Sequence, residues 1–132
     1  MNVLIINAGS SSLKYQLMNP ETGEVSAKGL CERIGIDGRL NHKVGENKVV
    51  KDIPMPTHSE AIAATLAILV DPVDGVIKSV EEIDAVGHRV LHGGMEFFDS
   101  CIIKGCLRTH RSAWSLCQAW WCRRLPWNRT CR

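Results

Sequence analysis

Val3-Leu4-Ile5-Ile6 opens the chain as an unbroken β-branched and leucine run, and Ala8-Gly9-Ser10-Ser11-Ser12, a cluster of turn formers, ends it. The pattern predicts a buried strand over residues 2–7. Leu13-Lys14-Tyr15-Gln16-Leu17 then alternates apolar with polar, the period of a half-buried strand, so Lys14 and Gln16 share one face. After the turn signal Asn19-Pro20-Glu21-Thr22-Gly23, a third strand is expected over residues 24–34, weakened by Gly29. Two shorter strands, at 40–44 and 48–53, flank Gly45-Glu46-Asn47. Pro54 and Pro56 close the strand-rich region. The spacing Thr57 to Glu60 fits a capping box, and Ile62, Leu66, Leu69 and Val70 recur as one apolar helical stripe that Asp71-Pro72 stops. Ser79 with Glu82 predicts a short helical turn, and residues 83–91 return to a strand. Strands, a helix and a strand in that order predict an α/β domain on a mixed sheet.

Composition looks ordinary at first. The 132 residues are 45% apolar and 23% charged, which excludes a disordered or collagenous chain and fits one compact domain. Charge divides the chain, however. Residues 1–100 carry nine Lys+Arg against fourteen Asp+Glu, a net of −5, whereas residues 101–132 carry seven Lys+Arg and no acid, a net of +7. All four Trp and five of the six Cys also fall after residue 100. The first piece has one cysteine, Cys31, no charged-then-apolar leader and no apolar run approaching the roughly 20 residues of a membrane span, so a reducing, cytoplasmic setting is expected.

Two segments carry candidate chemistry. In Asn7-Ala8-Gly9-Ser10-Ser11-Ser12, small residues let backbone N–H groups converge, hydroxyls add donors, and Lys14 adds a positive charge, a kit for holding phosphate oxygens. The spacing is not that of a Walker A loop, and a strand follows instead of a helix. Asn7 offers a hard oxygen for magnesium, directly or through water. A Ser-rich turn beside a solvated lysine is the plainer reading, and at this point both stand. In Gly87-His88-Arg89-Val90-Leu91-His92-Gly93-Gly94, strand alternation puts Arg89 and Leu91 on one face, where a guanidinium and an aliphatic group suit a small carboxylic acid. His88 and His92 have the spacing of a helical zinc motif, but Arg89 stands where that motif needs Glu and the glycines disfavour a helix. Structural histidines are the expectation there.

Asn7-Ala8-Gly9-Ser10-Ser11-Ser12-Leu13-Lys14-Tyr15, Glu32-Arg33-Ile34-Gly35 and Val86-Gly87-His88-Arg89-Val90-Leu91-His92-Gly93-Gly94 together resemble, in order and separation, the N-terminal region of the acetokinase family. The resemblance runs from Met1 to Ile103. It implies part of an actin-like ATPase fold of the kind shared by acetate and sugar kinases, Hsp70 and actin. It also implies a cytoplasmic enzyme, a homodimer at full length, that moves phosphate between ATP and acetate with Mg²⁺. No nucleic-acid or membrane partner is implied. By matching position, Asn7 corresponds to the family's magnesium-site residue, Ser10 and Ser12 to its phosphate-loop serines, Lys14 to its ATP-contacting lysine and Arg89 to its carboxylate-binding arginine. Leu91 falls where the family usually has a valine lining the acetate-methyl pocket. A propionate or butyrate kinase shares these motifs. The family's catalytic aspartate, a histidine, a second arginine and a metal-site glutamate have no counterpart in these residues, so the 132-residue chain is expected to be inactive alone.

Residues 104–132 depart from the resemblance. Cys101, Cys106, Cys117 and Cys122 make two C-x₄-C pairs, at the wide end of zinc-ligand spacing. The Trp and Arg residues invite a nucleic-acid or anionic-membrane reading, although no helical period gathers them on one face. A non-catalytic nucleic-acid- or metal-binding module acting through this tail is therefore the alternative from another class. Absence of acid, excess of Cys, Trp and Arg, and loss of periodicity favour out-of-frame translation with no packed fold.

Overall fold

A computed structural model describes residues 1–89 and Ser100. The first five expected strands form as β1 (Val3–Ala8), β2 (Ser12–Met18), β3 (Val25–Glu32), β4 (Arg39–Val44) and β5 (Asn47–Asp52). Helix α1 (His58–Leu69), a 3-10 turn at Val80–Glu82 and β6 (Ala85–His88) follow. One sheet holds all six strands in the order β5-β4-β3-β2-β1-β6, with every pair antiparallel except β1 with β6, which run parallel. This is the expected mixed α/β sheet. β6 starts two residues later than the 83–91 stretch the sequence predicts, because Ile83 and Asp84 form a lead-in. In that lead-in Asp84 N–H donates to Asn2 O at 2.9 Å. Expectations resting on Val90, Leu91 and His92, the boundary at Ile103 and the Cys-rich tail lie outside the described residues.

Period-two alternation divides the sheet into unlike faces. Leu4, Ile6, Leu13, Tyr15, Leu17, Ala27, Cys31 and Leu40 are all buried and share one face, against which α1 packs. The stripe on α1 is not quite the one the sequence predicts. Ala61, Ile62, Thr65, Ile68 and Leu69 are buried, while Leu66 and Val70 are only half-buried. Thr65 tolerates burial because its hydroxyl donates to Ala61 O at 2.9 Å and lies 3.5 Å from Cys31 Sγ on β3. A helical Thr satisfied in this way can replace an apolar residue on the packed face.

Gly29 does not interrupt β3. It pairs with Tyr15 on one side and His42 on the other, and a Cβ there would lie 2.5 Å from Asn41 O and overlap the Tyr15 ring and hydroxyl. The missing side chain lets Tyr15 reach across β3, so that its ring stacks on His42 with centroids 6.0 Å apart and its hydroxyl sits 2.6 Å from His42 Nδ1. His42 Nε2 lies 3.0 Å from Asp74 O, which can only accept. The proton is therefore on Nε2, and Tyr15 donates to Nδ1. Burial pushes the Tyr15 hydroxyl above its ordinary range and holds His42 below the usual histidine value.

Two expectations follow. Gly29→Ala should cost about 2 kcal/mol, since the added methyl must displace Tyr15 or the β4 backbone, and thermal unfolding measures it. His88, like His42, is held low chiefly by burial. Below about pH 6.5 the unfolded chain protonates these rings while the folded protein does not, so stability is full above that value and falls as the pH drops beneath it. Asp37, Glu60 and Asp71, held low by hydrogen bonds, lose their contribution only near and below about pH 4. Urea midpoints should therefore decline between about pH 6.5 and 5. Replacing both Tyr15 by Phe and His42 by Leu should shrink that decline.

Candidate phosphate-handling site

The loop between β1 and β2 is held by its carbonyl groups. Gly9 N–H donates to Ser12 O at 2.7 Å and closes the hairpin. Ser11 O accepts from Ile34 N–H at 3.1 Å, which ties the Glu32-Arg33-Ile34-Gly35 motif to the loop. That motif turns sharply: Arg33 takes a left-handed φ of 60°, and its guanidinium forms a two-pronged pair with Asp37. Gly9 O lies 2.7 Å from Nε2 of His58, the first residue of α1. The amide N–H groups of Ser10 and Ser11 donate to no acceptor among the described residues. The loop thus turns acceptors inward and leaves donors free, the arrangement an anion requires.

The strands place the remaining candidates beside it. Asn7 pairs with Lys14 across β1 and β2, so both lie on the helix-free face. Ile6 pairs with His88 in the parallel β1–β6 ladder, and Arg89 N–H donates to Ile6 O at 3.0 Å. Arg89 therefore follows beside Asn7, exposed, on the same face as Lys14. The structure brings Asn7, Lys14 and Arg89 together at one end of three adjacent strands, with the Ser10–Ser12 loop at that end, while Leu91 lies outside the described residues. The side chains of Asn7, Ser10, Ser12, Lys14 and Arg89 make no hydrogen bond or ion pair among the described residues, whereas Arg33, Arg39 and Lys51 each pair with a carboxylate. Two cations without a carboxylate partner beside free amides have the chemistry that an anion would need. Lys14 also lines a shallow depression of about 530 Å³ on this face, with Lys28, Lys43 and Lys48, but the other candidates do not.

His88 falls on the opposite, helix side of the sheet, half-buried, and its Nδ1 has no partner among the described residues. No group of three or more His, Cys, Asp or Glu residues is placed to hold a metal among the described residues. Asn7 is accordingly a single oxygen donor, which fits a magnesium ion that keeps several waters and takes its other ligands from phosphate.

The position of His58 escaped the sequence reading. The signal lay inside the capping box: Thr57 is the cap, its side chain accepts from Ser59 N–H at 3.1 Å, and Glu60 accepts from Thr57 N–H at 2.9 Å. His58, the residue directly after the cap, is thereby fixed at the start of the helix.

These features define an α/β protein with the actin-like ATPase type of fold and a small-residue hairpin at its strand ends. Among solved structures, the acetate kinase of Porphyromonas gingivalis superposes with a TM-score of 0.70 at 45% identity, covering 73% of this chain and 25% of that one. A propionate kinase from Francisella tularensis gives a TM-score of 0.60 at 34% identity, covering 70% and 23%. The acetate kinase of Agathobacter rectalis is 64% identical over 104 residues, 78% of this chain and 26% of the relative. A family model described as the acetokinase family matches residues 2–111, past Ile103. The chain belongs to the acetokinase family, and spans about a quarter of the length of these relatives. No helix among the described residues is long and apolar enough to cross a membrane.

The capping box is testable by itself. Thr57→Ala should lower stability by about 1 kcal/mol, read by thermal unfolding, and Thr57→Ser should retain most of it.

Proposed function

We propose that this chain supplies the phosphate-handling N-terminal part of an enzyme that transfers the γ-phosphoryl group of ATP to acetate, giving acetyl phosphate and ADP. The convergence of Asn7, Lys14 and Arg89 beside a loop of free amides is the observation that carries this reading, with the 64% identity to an acetate kinase behind it. The chain holds a share of an active site, and the 132 residues alone are expected to form no acetyl phosphate.

The chemistry suits the residues. A carboxylic acid with a pKa of about 4 to 5 is already ionised at neutral pH, so the nucleophilic oxygen needs no base. A carboxylate oxygen forms the new bond to the γ-phosphorus while the bond to the β,γ-bridging oxygen breaks and ADP leaves. The obstacle is repulsion between two anions, so catalysis rests on alignment and positive charge. Arg89 takes the carboxylate in a two-pronged grip, Lys14 neutralises nucleotide phosphate, and the Ser10–Ser12 loop donates to phosphate oxygens. Asn7 would hold a Mg²⁺ ion, which supplies charge neutralisation of the phosphates when bound.

A second reading is favoured by the Francisella tularensis match: propionate as the acceptor. Leu91, where the family resemblance expects valine, would make the pocket tighter, so no gain in preference for propionate or butyrate is expected. Grafting residues 1–103 in place of the matching segment of the Agathobacter rectalis enzyme tests both. The graft should form acetyl phosphate and should turn over butyrate far more slowly. Lys14→Ala should raise KM for ATP roughly tenfold, and Arg89→Ala should lower kcat/KM for acetate roughly a hundredfold. A folded but inactive graft would overturn the reading, and equal use of butyrate would overturn the assignment of acetate.

A further inference from the structure

We propose that His58 is a positioning residue: by taking the Gly9 carbonyl, it turns the Gly9–Ser10 peptide so that the Ser10 amide faces outward as a phosphate donor. The inference rests on the ATP-binding reading above.

A trans peptide is planar, and its C=O and N–H point in opposite directions. The Gly9 carbonyl and the Ser10 N–H belong to one such plane. With Gly9 O held 2.7 Å from His58 Nε2, on α1, the Ser10 N–H must point away from the helix. Gly9 O can only accept, so Nε2 carries the donated proton. In an ordinary tight turn this carbonyl would accept from the residue three further on. That bond, Ser12 N–H to Gly9 O, is not made here; the hairpin is closed only in the other direction, by Gly9 N–H to Ser12 O at 2.7 Å. The turn therefore lacks the bond that would fix this peptide from within, and His58 supplies the restraint from outside.

The restraint is stiff because His58 is itself fixed. It follows Thr57, whose backbone and side chain are both engaged by the capping box, and it is half-buried. Small residues make the need plain. Gly9 and the three serines after it impose little steric preference of their own, and such a peptide can flip unless something holds its carbonyl. The same loop holds its second inward carbonyl, Ser11 O, through Ile34 N–H. Both restraints come from residues distant in sequence: His58 fixes the Gly9–Ser10 peptide and Ile34 the Ser11–Ser12 peptide, and between them the Ser10 and Ser11 amides donate to no acceptor among the described residues. His58 does not itself touch the phosphate; it acts through the peptide.

Nuclear magnetic resonance on the ¹⁵N-labelled 132-residue chain, titrated with ATP, tests this directly. In the wild-type chain the Ser10 and Ser11 amide resonances should shift saturably. His58→Ala removes a net hydrogen bond worth about a factor of ten and should weaken that response roughly tenfold, while the Leu4, Ile6 and Leu13 amides keep their positions. His58→Gln, whose terminal amide carries a donor at similar reach, should restore most of it. Should Ala disturb α1, His58→Phe keeps the ring's bulk without the donor and should still lose the response. Wild-type affinity in the Ala and Phe variants, or a Gln variant as weak as Ala, overturns the role of His58 and leaves the ATP reading intact. Absence of any shift in the wild-type chain overturns the ATP reading and this inference with it, a distinguishable result.

Discussion

Tyr15 reaching over Gly29 to His42 is the constraint from which the rest of the described structure is organised. The contact spans β2, β3 and β4 and is satisfied at both ends, because His42 passes its other nitrogen to the Asp74 carbonyl beyond α1. Lys51 on β5 grips the Asp74 carboxylate at 2.8 Å and brings the same segment to the sheet edge. The far end of α1 is thus tied to the middle and edge of the sheet. Its near end is tied through His58 to the β1–β2 loop. A helix anchored at both ends cannot slide along the sheet, and the chain that leaves it enters β6 in a register that puts Arg89 beside Asn7. The buried polar network matters for placement more than for net stability, since hydrogen bonds to neutral partners contribute only about 1 kcal/mol each once water is accounted for.

Local patterning made the strands and the helix start legible, because alternation, turn residues and capping boxes act within a few residues of one another. Thr57 with Glu60 and Ser79 with Glu82 both form the boxes their spacing predicts. What stayed illegible depended on partners far away. Gly29 reads locally as a weak point in a strand, and only the Tyr15 ring passing over it explains its absence of a side chain. Thr65 is absent from the predicted apolar stripe, and only Cys31 and the Ala61 carbonyl explain its burial. The candidate site divides in the same way. The serine loop and Lys14 lie next to each other in sequence, and their chemistry was readable there. The adjacency of Arg89 to Asn7 comes from parallel pairing across more than half the described chain, which no local pattern encodes. His58 was hidden for the same reason, since its partner Gly9 is 49 residues away.

Net charge gives the wrong picture of this surface. Residues 1–100 sum to −5, yet the helix-free face carries Lys14, Lys28, Lys43, Lys48 and Arg89 without a carboxylate partner among the described residues. Lys28, Lys43 and Lys48 even stand directly opposite one another on β3, β4 and β5, an arrangement that costs energy through like-charge repulsion. On that face Asp52 is paired with Arg39 and Glu32, opposite Ser12, accepts from Asn41 Nδ2 at 3.1 Å, while Asp71 and Asp74 are paired with Lys51. A uniform spread of the same residues would give an acidic surface that repels phosphate and carboxylate alike. Strand alternation instead gathers five cations without a carboxylate partner on the helix-free face, where Glu32 and the Arg39–Asp52 pair form a separate row, and such cations raise the local concentration of anions. The phosphoryl transfer proposed above would bring two anions together, and this arrangement of cations suits it. The arrangement is set by which strand positions face away from α1, and therefore by the same register that Tyr15, Gly29 and His42 hold in place.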